Sequence, residues 1–150
     1  MIEVRLQPDP FDSGAELARL HTLGGGGVAS FTGIVRGDGG LIELMLEHHP
    51  GMTLAMMRAL AEEAMERWAL TGLTIIHRHG ALQPGDPIVL IATAAPHRTA
   101  ALEACASLID RLKTQAPFWK RETFADGSSR WVEARTADDE AAARWLRDER

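Results

Sequence analysis

The chain has 150 residues, of which 45% are hydrophobic and 25% charged, proportions that fit one globular domain (1–150) with a real core. Its net charge of −5 argues against a general nucleic-acid-binding surface, so any anion site must be a local basic pocket. The single cysteine, Cys105, excludes an internal disulfide and a multi-cysteine zinc site, and suits a reducing compartment.

The first residues, Met1 to Leu6, lack a basic region followed by a long apolar run, so no signal peptide is expected. No apolar run approaches the ~18 residues of a membrane span. A cytoplasmic protein is the expectation, with no membrane and no nucleic acid among its partners.

In chain order, Ile2, Val4 and Leu6 alternate with polar residues and predict a first strand. Asp12 or Ser13 can cap a short helix through Ala15, Leu17, Ala18 and Leu20, which Gly24 to Gly27 break. Val28–Val35 and Leu41–Glu47 read as strands flanking a flexible turn, and a hairpin between them is expected. Thr53 is placed to cap a long helix whose buried face is Leu54, Met57, Leu60, Ala61, Ala64 and Trp68. Strands follow at Leu73–His79 and Ile88–Ala94, around a turn at Pro84–Pro87. A third helix after Pro96 carries a stripe of Ala101, Ala104, Cys105, Leu108, Ile109 and Leu112. Phe118–Phe124 and Arg130–Glu133 predict a hairpin around Asp126-Gly127. A charged helix, Asp138–Arg150 within a tail from residue 136, has Trp145 and Leu146 as its only large anchors. Interleaved elements with several hairpin-length links predict an α+β fold with a mixed or antiparallel sheet flanked by helices.

The densest chemistry lies at Leu112–Glu122, where three cations, two large aromatics and a carboxylate surround Pro117. A connection that needed only a turn would use Gly, Asn, Asp or Ser. Pro117 ends the third helix and opens a strand. Strand alternation puts Phe118, Lys120 and Glu122 on one face, and Trp119 and Arg121 on the other. Two further basic places are Arg36, beside a Gly-rich turn, and His97-Arg98, which open the third helix where free N–H groups favour an anion. Together these groups suit a small, polyanionic, partly aromatic substrate.

Helix length constrains how they can meet. His97 and Lys113 are sixteen residues apart. At ~1.5 Å per residue their separation is on the order of 24 Å. The expectation is a site shared between two copies of the chain, with His97 and Arg98 supplied by the neighbour.

Other motifs are weaker. The run Gly24–Gly27 follows a helix and opens a strand, the reverse of a dinucleotide fingerprint, and reads as a flexible connection. His77 and His79 share one strand face and, with His48 or His49, raise a metal-dependent hydrolase as a rival. No third ligand has recognisable spacing, Arg78 between them opposes a cation, and partly exposed strand histidines are the better reading. Cys105 on an apolar stripe reads as packing rather than a nucleophile.

At these residues the chain resembles the large, catalytic subunit of molybdopterin synthase. The matching segments are Phe31–Arg36, Leu46–Met52, Ile76–Gly80, Ala95–Arg98 and Leu112–Glu122, in the family's order. In this chain His49 stands where a tyrosine is common in the family. The resemblance implies an α/β hammerhead with an additional antiparallel β subdomain. It implies conversion of cyclic pyranopterin monophosphate (precursor Z) to molybdopterin, in molybdenum cofactor biosynthesis. Two sulfurs would come from the C-terminal glycine thiocarboxylate of a small ubiquitin-like sulfur-carrier subunit. The implied assembly is a heterotetramer built on a homodimer of large subunits, and no metal or resident cofactor is implied. Lys113 and Lys120 match the family's two active-site lysines. Arg36, His97 and Arg98 match its anion-binding positions, Arg121 and Glu122 continue the substrate-contacting segment, and Ile34 and Val35 match backbone contacts to substrate. The alternative is a non-catalytic scaffold that only docks a ubiquitin-like carrier, for which two lysines at this place would be superfluous.

Overall fold

The computed structural model describes residues 1–132 and 136–146. The first sheet has strand order β1 (Ile2–Gln7), β4 (Gly72–Arg78), β6 (Pro87–Ala95), β2 (Gly27–Ile34). Only β1 and β4 run parallel; the other neighbours are antiparallel. The second sheet is antiparallel, in the order β5 (Gly80–Leu82), β3 (Leu41–His48), β7 (Phe118–Phe124), β8 (Ser129–Val132). The expected α+β class, with a mixed sheet, helices and a separate antiparallel unit, is what forms.

Alternation along β6 divides the helices between the two faces of the first sheet. Ile91 and Ala95 meet α2 (Met52–Arg67) and α3 (Arg98–Gln115) in the main core. Ala92 and Ala94 face the other way and pack with Leu20 of α1 (Ser13–His21). A second core of Val35, Leu41, Leu44, Leu46 and Leu82 lies under the second sheet. Ala101, Ala104, Cys105, Leu108 and Leu112 of the expected α3 stripe are buried. Cys105 is walled in beside Ile91, and burial pushes its thiol up to about 11.

Several expectations need correcting. The hairpin between Val28–Val35 and Leu41–Glu47 does not form: β2 pairs with β6, and β3 with β5 and β7, in different sheets. The link is too glycine-rich to fix a register. It turns through a short 3-10 segment at Asp38–Gly40, with positive φ at Gly39 and Gly40, which lets the chain change sheets. The short strand β5 was not expected. Gly80, at φ +92°, is the corner by which the chain leaves β4 for it.

Thr53 does not cap α2. Gly51 holds that position without a side-chain bond. The first helix is capped by Asp12, whose carboxylate accepts from the Ala15 amide at 3.1 Å. The last helix, α4 (Thr136–Ala143), starts earlier than expected and gives way to a turn at 144–146. Trp145 anchors that turn, donating from its indole to Asp110 at 2.8 Å and accepting on its carbonyl from Arg67 at 2.8 Å. Leu146, expected as a second anchor, is exposed. Glu133, the expected end of the hairpin, and residues 147–150 of the expected helix lie outside the described residues.

Candidate active site

The geometry of α3 decides which candidate residues can meet. Thr93 donates its hydroxyl to the Ala101 carbonyl at 2.6 Å, and Cys105 lies against the Ile91 carbonyl. Advancing along the helix therefore means going backwards along β6. Its start, at His97 and Arg98, lies at the Ala95 end of the sheet; its last turn, with Lys113, lies toward Pro87. On the antiparallel neighbour β2, Gly27 pairs with Ala95 and Ile34 with Pro87. Arg36 follows Ile34, so Arg36 and Lys113 belong to one end of the sheet and His97 and Arg98 to the other. The two ends are on the order of 25 Å apart, from strand rise and helix rise alike. Sixteen residues of unbroken helix cannot be folded away.

At the His97 end, the backbone is crowded. A Cβ on Gly25 would stand 2.8 Å from the Ala95 carbonyl oxygen, and one on Gly26 2.3 Å from that of Pro96. The Gly26 amide donates to Ala95 at 2.9 Å. The glycine run is a tight seat for the turn that carries His97 and Arg98, not the loose connection expected. His97 takes the N-cap position of α3 in extended geometry without a side-chain cap bond, and both His97 and Arg98 are exposed.

At the other end, Arg36 is exposed and pairs loosely with Asp38 at 3.5 Å. Ile34 is exposed, while Val35 is buried, its amide donating to Asp86 at 3.0 Å and its carbonyl accepting from Gly85 at 2.9 Å. Lys113 is exposed in the last turn of α3, where a cation suits the helix dipole. The helix ends at Gln115, two residues before Pro117, and β7 begins immediately after. Thr53 is fully buried beside this switch. Its hydroxyl donates to the Pro117 carbonyl at 2.9 Å and accepts from the His49 amide at 3.1 Å. One side chain thus ties the end of β3 and the start of α2 to the start of β7.

Along β7, Lys120 lies opposite Leu46 and Val132, and Phe118 opposite His48. Phe118, Lys120 and Glu122 thus share the face of Leu46, which is buried. Lys120 is half-buried there, and Glu122 pairs with Arg130 at 3.1 Å. Arg121 points away, its guanidinium 5.9 Å from the Trp131 ring. Trp119 also faces outward and is exposed. The alternation expected from the sequence therefore holds, but it separates Arg121 from Lys120.

Residues 6–115 match the MoaE protein family. The chain belongs to the MoaE family. It is 52% identical over 147 residues to the molybdopterin synthase catalytic subunit of Mesorhizobium japonicum, covering 95% of this chain and 92% of that one. It is 47% identical to the Escherichia coli protein of the same name, over 92% of this chain and 94% of that one. The fold superposes on the molybdopterin biosynthesis MoaE protein from Burkholderia ambifaria with TM-score 0.83 and 46% identity, covering 97% and 98% of the two chains. A molybdopterin synthase structure from Staphylococcus aureus matches with TM-score 0.76 and 34% identity, over 85% and 95%.

Within this MoaE chain two hollows among the described residues lie away from the predicted residues. One of about 760 Å³ is lined by Arg67, Trp68, Leu102, Glu103, Ala106, Arg144 and Trp145. Another of about 330 Å³ lies over Ile2, Val4 and Arg58. Neither holds Arg36, His97, Arg98, Lys113 or Lys120. The predicted residues are mostly exposed, at two separated ends of the first sheet.

The strand histidines pack as two ring pairs, one stacked and one tilted. His77 lies flat on Phe118, ring centroids 3.9 Å apart, and His48 lies 4.5 Å from His79. Among the described residues no three His, Cys, Asp or Glu side chains are placed to hold a metal. Two residues differ from their expected settings: Thr53 is an interior helix residue rather than a cap, and His77, expected to be a partly exposed strand histidine, is buried. Thr53 sits on the same helical face as Met57, Leu60, Ala61 and Ala64, a position that marked it as interior rather than as a cap. His77 alternates in β4 with Leu73 and Ile75, which face the main core.

Proposed function

We infer that this chain is the catalytic subunit of a molybdopterin synthase. It converts cyclic pyranopterin monophosphate to molybdopterin by accepting two sulfurs from a small ubiquitin-like subunit that carries a C-terminal thiocarboxylate. The observation that carries the inference is the segment Leu112–Glu122, which presents Lys113 from a helix end and Lys120 from the next strand. Close relatives named for this activity, matching over nearly the whole chain, support it. The enzyme works in the cytoplasm as a dimer of these chains with one small subunit on each.

In this reading Arg36 of one chain and His97 and Arg98 of the other hold the cyclic phosphate, the arginines as planar forks and the histidine as a donor. The backbone at Ile34 and Val35 borders the pterin, and Glu122 continues the substrate-contacting segment on the Lys120 face of β7, with Arg121 on the other face. The thiocarboxylate sulfur attacks an oxygen-bearing carbon of the pterin side chain; the C–S bond forms as that C–O bond breaks, and the departing oxygen takes up a proton. Water then cleaves the acyl–sulfur bond, leaving sulfur on the pterin and a carboxylate on the carrier. Lys113 stabilises the oxyanion formed at the acyl carbon in that cleavage. Lys120 handles the proton at the pterin side-chain oxygen.

The test combines purified chain, precursor and thiocarboxylated small subunit. Wild type makes molybdopterin, and Lys113→Ala lowers turnover by about a hundredfold or more, the scale of losing one oxyanion donor. Full activity in Lys113→Ala would overturn the role of Lys113, and an inactive wild type would overturn the reaction.

A further inference from the structure

The proposed reaction assigns no task to the histidines behind β7. His77 ends β4 on the face that carries Leu73 and Ile75 against α2 and α3, and it is buried. Its ring is stacked on Phe118 at 19° between planes. Its Nδ1 lies 2.7 Å from the Arg78 carbonyl oxygen. A carbonyl can only accept, so Nδ1 carries the ring proton and Nε2 is bare. Phe118 is two residues from Lys120 on the same face of β7, and the Lys120 charge reaches His77. Burial is the main cause that lowers His77 to about 4, and the charges of Lys120, His79 and His48 press the same way. At neutral pH the ring is an uncharged plate under a catalytic strand.

The start of that strand is held by its ladder to β3, which opens at the Phe118–His48 pair, and by the turn before it. The Phe118 amide donates to the Ala116 carbonyl at 3.0 Å, closing the turn around Pro117, and Thr53 holds the Pro117 carbonyl. Beyond Pro117, the first side chain that can anchor β7 against the main core is Phe118, because Trp119 faces solvent. Phe118 has a flat partner on β4, and the ladder to β3 begins at Phe118 itself, opposite His48, and continues through Lys120 opposite Leu46. The ladders set the backbone of β7, and the Phe118 ring, held flat by His77, is the packing surface beside which the next residue on that face, Lys120, places its side chain.

We propose that His77 is a positioning residue for Lys120: its imidazole, stacked on Phe118 and pinned through Nδ1 to the Arg78 carbonyl, sets the placement of the Lys120 amine. The proposal rests on the assignment of Lys120 to the reaction given above. A flat ring is required for the stack, a ring N–H for the pin, and an uncharged ring to avoid a second cation beside the lysine. Phenylalanine supplies two of these three, alanine only the last.

Two measurements test it, both on the full-length chain. In the complete enzyme with thiocarboxylated small subunit and precursor, His77→Ala lowers kcat about tenfold or more while KM for the precursor changes little, and His77→Phe restores most of the loss, the pattern of a misplaced reacting group. Separately, reductive ¹³C-methylation of the lysines gives NMR signals that need no turnover. The Lys120 signal shifts and broadens in His77→Ala, stays near its wild-type position in His77→Phe, and the Lys113 signal moves in neither. A Lys120 signal unchanged in His77→Ala overturns the proposal. So does a His77→Phe chain that melts like wild type yet loses activity as fully as alanine. An inactive wild type with the expected Lys120 shifts would instead overturn the reaction and leave the positioning role standing.

Discussion

His77 is a base that the fold keeps unprotonated. Its ordinary value of 6.5 falls to about 4 in the folded chain. Between those values the unfolded chain takes up a proton that the folded chain refuses, so stability falls as pH drops from about 6.5 to about 4 and levels off below. The contribution is on the order of 3 kcal/mol at neutral pH. His79, lowered by burial and by the His48 charge, adds in the same direction. Urea unfolding at pH 7 and pH 5 measures the effect. Wild type loses stability between them, and His77→Phe, which has no proton to gain, loses clearly less. Thr53 acts at the same place through hydrogen bonds. Thr53→Val keeps the shape but leaves the Pro117 carbonyl and the His49 amide without their partner, at a cost of about 1–3 kcal/mol. The same urea series reads this as a lower midpoint with an unchanged slope.

At the scale of elements, periodicity located most strands and helices because their buried faces are long and apolar. The α3 stripe and the β7–β8 turn at Asp126-Gly127 are examples. What periodicity could not supply was the pairing. The link from Val35 to Leu41 has hairpin length, yet the two strands enter different sheets, because only long-range partners (β6 for one, β7 for the other) bury their inner faces. The Gly24–Gly27 run was legible as glycine but not as contact, since the carbonyls that exclude a Cβ belong to Ala95 and Pro96, some seventy residues away in sequence. Gly26→Ala should therefore push the backbone of the His97 turn, costing about 2 kcal/mol or more. Gly24→Ala meets open space at φ +81° and should cost about 1 kcal/mol from backbone strain alone. Melting temperatures of the two variants check the order: Gly26→Ala should be the lower of the pair.

For the whole molecule, the fold turns five candidate residues into two separated sets. The residue types and their local settings were readable from the chain, and the length of α3 already kept His97 from Lys113. Which end Arg36 joins was not readable, because it depends on β2 running antiparallel to β6. With Arg36 and Lys113 at one end of the sheet and the His97-Arg98 pair at the other, the anion site proposed above draws on two chains. Mixing Lys113→Ala chains with His97→Ala chains is the direct check. Random pairing makes half the dimers mixed, each with one of two sites intact, so turnover should recover to about a quarter of wild type. Recovery that stays at the level of the separate variants would mean that each chain works alone.

The same helix also acts as a ruler. A residue inserted anywhere in α3 would turn Lys113 about 100° around the axis relative to His97 and move it 1.5 Å further along. The two half-sites of the proposed shared site would then fall out of register at once, even with every side chain present. Drift in length is therefore barred from Arg98–Gln115 and open to the turn at 37–40, so variation among copies of this protein should collect at the rim and spare the rod.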